Sequence, residues 1–258
     1  MKPQVVCIPG GVAPAAQRYG PLIAAAGEAA DFHTKDLEVY RGATPPSGYS
    51  VEEEVEAIDR FAGANGLSRF HLIGYSGGGF ISLAYAATRP ERLNSLGIFE
   101  AARIPGVPTA EEAELRSGFE RKLEGLRGPE FMAAFVREQL KPGVQAPAPL
   151  PGPPSPEMQK RPAGIAAMMG AFNNYQLDRE LFRAVQFPVY YAYGDLSHPE
   201  QALKAGILGQ YFADIHIHRF DGVHHFVPPE KIYTAEHVDA LITMWHKTER
   251  SAADPSLQ

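Results

Sequence analysis

Short apolar runs alternate with stretches of helical periodicity over most of the chain. Runs at 5–8, 70–75, 93–99, 189–193 and 215–220 predict strands. The first of them ends in the loop Pro9-Gly10-Gly11-Val12. Ser50-Val51-Glu52-Glu53 has the spacing of a capping box, in which Ser50 accepts from the Glu53 amide and Glu53 reaches back to the Ser50 amide. Val51, Val55, Ile58 and Ala62 follow at i, i+4, i+7 and i+11, so the helix they predict has one apolar face, and Gly63 and Gly66 stop it. Residues 80–88 predict an alanine-rich helix that ends before Pro90. A closing helix places Val238, Leu241, Ile242 and Trp245 on one side. Strands that alternate with helices in this way predict an α/β protein with a parallel sheet covered by helices.

The strand rhythm stops between residues 103 and 186. Segments 111–126, 130–140 and 164–172 predict helices, and seven prolines fall between Pro142 and Pro156, a stretch unable to donate a regular backbone ladder. The expected organisation is a core made of 1–102 and 187–250, a helical insertion at 103–186 and a frayed tail at 251–258.

The 258 residues are 45% hydrophobic and 21% charged, enough to bury one large core. The formal charge is −6 and no Lys/Arg block stands out, which leaves a nucleic-acid surface nothing to rest on. The longest apolar runs fall far short of a membrane span, and the first strand is too short for a signal-peptide core. A soluble, cytoplasmic protein is expected. A single cysteine, Cys7, excludes an intrachain disulfide and a zinc–cysteine cluster. His216 and His218 alternate on one strand, and His224 follows, but no acidic residue accompanies them at ligand spacing, so no metal site is expected.

Gly74-Tyr75-Ser76-Gly77-Gly78 fits G-x-S-x-G and lies between a predicted strand and a predicted helix. A serine at that junction sits on a sharp, strained turn with its Oγ lifted from the carboxyl edge of the sheet. Small residues are needed two positions to either side, and the Gly77 amide at the helix start favours a developing negative charge. The alternatives are an inert serine in a glycine-rich turn, or a nucleotide-binding turn, for which the G-x-G-x-x-G spacing is missing. A hydroxyl needs a base. After the last strand comes Asp221-Gly222-Val223-His224-His225-Phe226, where the strand-to-loop spacing favours His225 over His224. Two acids close strands at the same edge, Glu100 after 93–99 and Asp195 after 189–193. Either can hold an imidazole N–H and stabilise imidazolium.

These residues resemble the α/β-hydrolase superfamily over nearly the whole chain, the elbow being the most specific motif. Pro9-Gly10-Gly11 resembles that family's His-Gly-x loop, which implies that Gly11, or Val12 beside it, supplies a second oxyanion-hole amide next to Gly77. Full members have eight strands. Only four residues precede Val5, so the resemblance implies a sheet of about six mostly parallel strands lacking the first two. The family's usual acid lies three residues after the glycine ending the next-to-last strand, and Ser197 occupies that place. A minority of the superfamily, some haloalkane dehalogenases among them, carry the acid after the strand that follows the elbow helix. Phe99-Glu100-Ala101-Ala102-Arg103 looks like that arrangement, which ranks Glu100 ahead of Asp195; without a catalytic role Glu100 would pair with Arg103. Segment 103–186 resembles the family's helical lid. Its Phe119, Phe131, Met132, Phe135, Met168, Met169 and Phe172 line a pocket or form the lid's own core, and Asn173-Asn174-Tyr175 can offer polar contacts. The implied activity is hydrolysis of a small-molecule carboxylic ester by Ser76, His225 and Glu100 with no metal or cofactor. Thioesterase, acyl-transferase, C–C hydrolase or lyase chemistry on the same triad, or a non-catalytic binding role, are the alternatives.

Overall fold

Val5, Val6, Cys7 and Ile8 are all buried, as in a strand covered on both faces. They belong to β1 (Gln4–Ile8), at the interior of a six-stranded sheet. The computed structural model describes residues 2–148 and 154–253. The other strands are β2 (Asp31–Thr34), β3 (Phe70–Tyr75), β4 (Leu93–Phe99), β5 (Val189–Gly194) and β6 (Ile215–Phe220). The order is β2-β1-β3-β4-β5-β6 and every pairing is parallel. This is the α/β-hydrolase architecture with about six strands that the sequence implies.

Parallel neighbours need crossovers, and these are helical. The chain runs from β1 through α1 (Ala15–Ala26) to β2, then through α2 (Val51–Ala64) to β3 on the other side of β1. It therefore reverses direction between β1 and β3, and a crevice opens there at the carboxyl ends of the strands. From β3 it continues outward through α3 (Gly77–Thr88) to β4. Alternate side chains of β1 serve two cores. Val6 and Ile8 join α2 and α3, while Val5 and Cys7 face Tyr19, Leu22 and Trp245.

Between β4 and β5 lie α4 (Ala110–Leu123), α5 (Gly128–Arg137), α6 (Pro156–Gln159) and α7 (Arg161–Asn174), with no strand among the described residues. Residues 149–153 of the proline tract lie outside the described residues. Phe131, Met168 and Phe172 are buried in the larger core, with Phe119, Met132, Phe135 and Met169 packed against it. A buried bidentate pair fixes the base of this insertion. Arg179 donates to both carboxylate oxygens of Glu112, at 2.8 and 2.9 Å, and also to the carbonyls of Ile104 and Pro105.

The chain closes through α8 (Glu200–Tyr211), α9 (Pro229–Ile232) and α10 (Ala235–Ala253). Helix α10 runs through 251–253, within the expected tail, and 254–258 lie outside the described residues. The capping box at Ser50 is half formed. Ser50 accepts from the Glu53 amide, while the Glu53 carboxylate lies 3.8 Å from Arg41 instead of returning to Ser50. The complete box is Thr109–Glu112, at the start of α4. Among the described residues no helix is long and apolar enough to cross a membrane.

Candidate active site

The elbow is built by close packing. Ser76 takes φ 54° and ψ −117°, a conformation that costs about 1–3 kcal/mol unless its surroundings enforce it. The enforcement is visible on both sides. A Cβ on Gly74 would lie 2.5 Å from Ser82 Oγ and 2.7 Å from the Gly78 carbonyl. A Cβ on Gly78 would lie 2.3 Å from the Pro9 carbonyl at the end of β1. Backbone bonds complete it, with the Ser76 N–H donating to Phe99 O (3.2 Å) and the Ala102 N–H to Ser76 O (2.8 Å).

The chain brings Ser76, His225 and Glu100 together from the ends of β3, β6 and β4. His225 Nδ1 lies 2.5 Å from Glu100 Oε2 and His225 Nε2 lies 3.0 Å from Ser76 Oγ. An ionised carboxylate only accepts, so Nδ1 carries the proton and Nε2 is left to accept from the serine hydroxyl. Imidazole and carboxylate are both buried. Burial pushes the imidazole below histidine's ordinary pKa, against the opposing pull of the Glu100 hydrogen bond and charge. The resting ring is therefore neutral, as a base must be.

Glu100 is fixed by its neighbours. Among the described residues it is the second non-glycine residue with positive φ (48°), and its N–H donates to Ala192 O at 2.9 Å. Its Oε1 accepts from the Gly194 N–H (2.7 Å) and from the Ser197 hydroxyl (2.6 Å). Ser197 stands where the family's usual acid is expected; here it orients a glutamate that arrives from β4. Spacing alone does not reveal that bond, because it joins residues 97 positions apart. Arg103 pairs with Glu120 (3.0 Å) and Asn173, not with Glu100, and this also uses the Asn173 side chain.

The other candidates are elsewhere. Asp195 accepts from the Gly222 N–H at 2.7 Å. His224 accepts from the Phe226 N–H at 3.1 Å. The His216 and His218 rings lie against Tyr190. Among the described residues no group of three or more His, Cys, Asp or Glu side chains is spaced to hold a metal.

Two supports of the site escape the pattern reading. The Tyr75 ring stacks on His225 at 4.9 Å between centroids, and its hydroxyl donates to His225 O at 2.6 Å. The Phe99 ring stacks on it at 6.0 Å, and the Arg18 guanidinium lies 3.6 Å from its centroid. Lys204 is buried and donates to the carbonyls of Ala101 (2.6 Å) and Ala102 (3.1 Å), tying down the turn that follows Glu100.

A cavity of about 70 Å³ lies over Ser76. Gly11 and Gly77 line its floor; Phe119, Phe135, Ile165, Met168, Met169 and Phe172 form an apolar wall, and Arg103, Arg116, Lys204 and Glu200 a polar one. Gly77 opens α3, so its N–H has no acceptor within the helix. Among the described residues the Gly11 and Val12 amides have no backbone acceptor either.

A family model for the α/β-hydrolase fold matches residues 3–148, more than half of the chain. No curated protein matches the sequence significantly. Solved structures that it resembles include a thermophilic esterase from Thermogutta terrifontis, with TM-score 0.70 and 17% identity over 95% of this chain and 90% of that one. Naproxen esterase (carboxylesterase NP) from Bacillus subtilis gives TM-score 0.64 and 18% identity over 93% and 83% of the two chains. A bacterial membrane phospholipase A gives 0.66 and 20% over 96% and 80%. Identities this low speak to the fold. With the family match, the elbow and the six-stranded parallel sheet taken together, the chain belongs to the α/β-hydrolase family.

Proposed function

We propose that the protein is a serine hydrolase that cleaves short-chain carboxylic esters. The observation that carries this reading is the continuous contact from Ser76 Oγ through His225 to Glu100 at the floor of a cavity. Ser76 Oγ attacks the ester carbonyl as His225 Nε2 takes its proton. Glu100 holds the imidazole in the required tautomer and stabilises the imidazolium that forms. The amides of Gly77 and of Gly11, with Val12 as the neighbouring alternative, stabilise the oxyanion. His225 returns the proton to the leaving alcohol, an acyl-enzyme remains, and water deprotonated by His225 releases the acid. Segment 103–186 acts as the lid over this cycle.

The cavity of about 70 Å³ supports the chain-length part of the reading. Pockets that enclose drug-sized ligands run to roughly 300–1,000 Å³, so this one fits a short acyl group. The test is turnover of p-nitrophenyl acetate, butyrate, octanoate and decanoate. Acetate and butyrate are expected to lead, with a burst of p-nitrophenol marking the acyl-enzyme. A preference for decanoate would overturn the chain-length reading. No ester turnover and no modification of Ser76 by a fluorophosphonate would point to a binding protein.

A further inference from the structure

Tyr40 lies far from the triad in sequence, on a short 3-10 turn (Glu38–Tyr40), yet it touches the loop beside Ser76. Its buried hydroxyl donates to the Gly11 carbonyl at 2.8 Å. Burial pushes the phenol's pKa up, so it stays a donor throughout the working pH range. A trans peptide points its C=O and N–H in opposite directions. A carbonyl fixed by Tyr40 therefore turns the Val12 N–H away from Tyr40. It also limits the rotation of Gly11, whose own N–H is the other donor implied for the oxyanion.

The ring is held in turn from two sides. On one side Val39 N–H and the Tyr49 hydroxyl both donate to Glu54 Oε1, at 3.3 and 3.0 Å, which pins the turn to α2. On the other lies α7. The Arg161 guanidinium sits 4.0 Å from the ring centroid. Gly164 packs so closely that a Cβ there would lie 2.0 Å from Tyr40 Cε1. The same helix sends Ile165 and Met168 against Gly11.

We propose that Tyr40 is a positioning residue for the oxyanion donors, an inference that rests on the ester-hydrolase reading. Its hydroxyl sets the Gly11 peptide, and α7 of the insertion sets Tyr40. The position of that helix is thereby transmitted to the hole where negative charge develops. Tyr40 does not touch the substrate.

Tyr40→Phe keeps the ring and removes the hydroxyl. Losing an oxyanion donor outright costs about 10²–10³ in kcat, and a donor that is present but less well aimed costs less, so kcat is expected to fall about tenfold to a hundredfold. KM is expected to hold, and the melting temperature to fall by only a few degrees, as the loss of one buried hydrogen bond does. Affinity for a trifluoromethyl ketone, which forms a tetrahedral adduct with its oxyanion in the hole, is expected to fall by the same factor as kcat/KM. Gly164→Ala displaces the ring and is expected to lower kcat similarly. Adding Tyr40→Phe to it costs little more, since the hydrogen bond is already gone. An unchanged kcat in Tyr40→Phe, a rise in KM alone, or losses that multiply in the double variant would overturn the inference while wild-type, Ser76-dependent turnover stood. Turnover that survives in Ser76→Ala would instead overturn the ester-hydrolase reading itself.

Discussion

The molecule holds two serine–histidine–glutamate constellations, each drawing two of its members from β3 and β4 or their ends, and their surroundings differ. At the carboxyl edge, Ser76, His225 and Glu100 line up at 3.0 and 2.5 Å. Lower in the sheet, Ser95 Oγ on β4 lies 2.8 Å from His71 Nδ1 on β3, and His71 Nε2 lies 3.4 Å from Glu249 on α10. The residue types are the same, but the surroundings are not. Ser95 is mid-strand and fully buried, with Trp245 packed beside its histidine. Ser95 does not line the cavity over Ser76. Burial, with His246 and Arg69 adding to it, pushes His71 down to about 3, while at His225 the Glu100 hydrogen bond opposes the shift. A triad is therefore a property of backbone geometry: a strained turn that presents a hydroxyl, helix-start amides beside it, and space above.

Substitutions made at both sites sharpen that contrast. Ser76→Ala is expected to lower kcat by roughly 10⁶, as removal of a triad nucleophile does. Ser95→Ala should leave kcat intact, and an equal loss would erase the distinction. Glu100→Gln is expected to cost up to about 10⁴ in kcat, since the imidazole loses its tautomer and its countercharge. The pH profile adds a sign. If His225 is the base proposed above, activity needs its neutral form, and kcat/KM is expected to rise with pH through a midpoint below histidine's usual value of about 6.5. Glu100 favours the imidazolium, so removing its charge moves that midpoint further down. Glu249→Gln should change neither kcat nor midpoint. Ser197→Ala deletes one hydrogen bond to a buried carboxylate, worth about 1.5–3 kcal/mol, and is expected to lower kcat about tenfold to a hundredfold. The smallest effect belongs to the inner constellation. Ser95→Ala leaves a buried ring nitrogen unpaired and is expected to lower unfolding free energy by about 1–3 kcal/mol in denaturant titrations, with no change in turnover.

The sequence pattern reaches five of the six strands and the elbow because each carries a concentrated signal: a run of buried apolar residues, or glycines at fixed offsets. It misses β2, an edge strand with Phe32 as its one large apolar side chain and every residue half-buried. It misses α1, where Pro21 interrupts a face made of Ala15, Tyr19, Leu22 and Ala26. It also misses α8, whose inner face buries Gln201 and Lys204 among its apolar residues. At the site, local motif and strand-end position lead to Ser76, His225 and Glu100. Ser197, Tyr75, Tyr40 and Lys204 stay hidden because each acts on a partner distant in sequence, through a bond that exists only after the sheet has assembled.

The most direct measurement is to locate the adduct of a fluorophosphonate probe by peptide mass spectrometry. A single modification on Ser76, absent in Ser76→Ala and strongly slowed in Glu100→Gln, is the predicted result. A probe found on any other residue, or a wild-type protein left unmodified, would contradict the account.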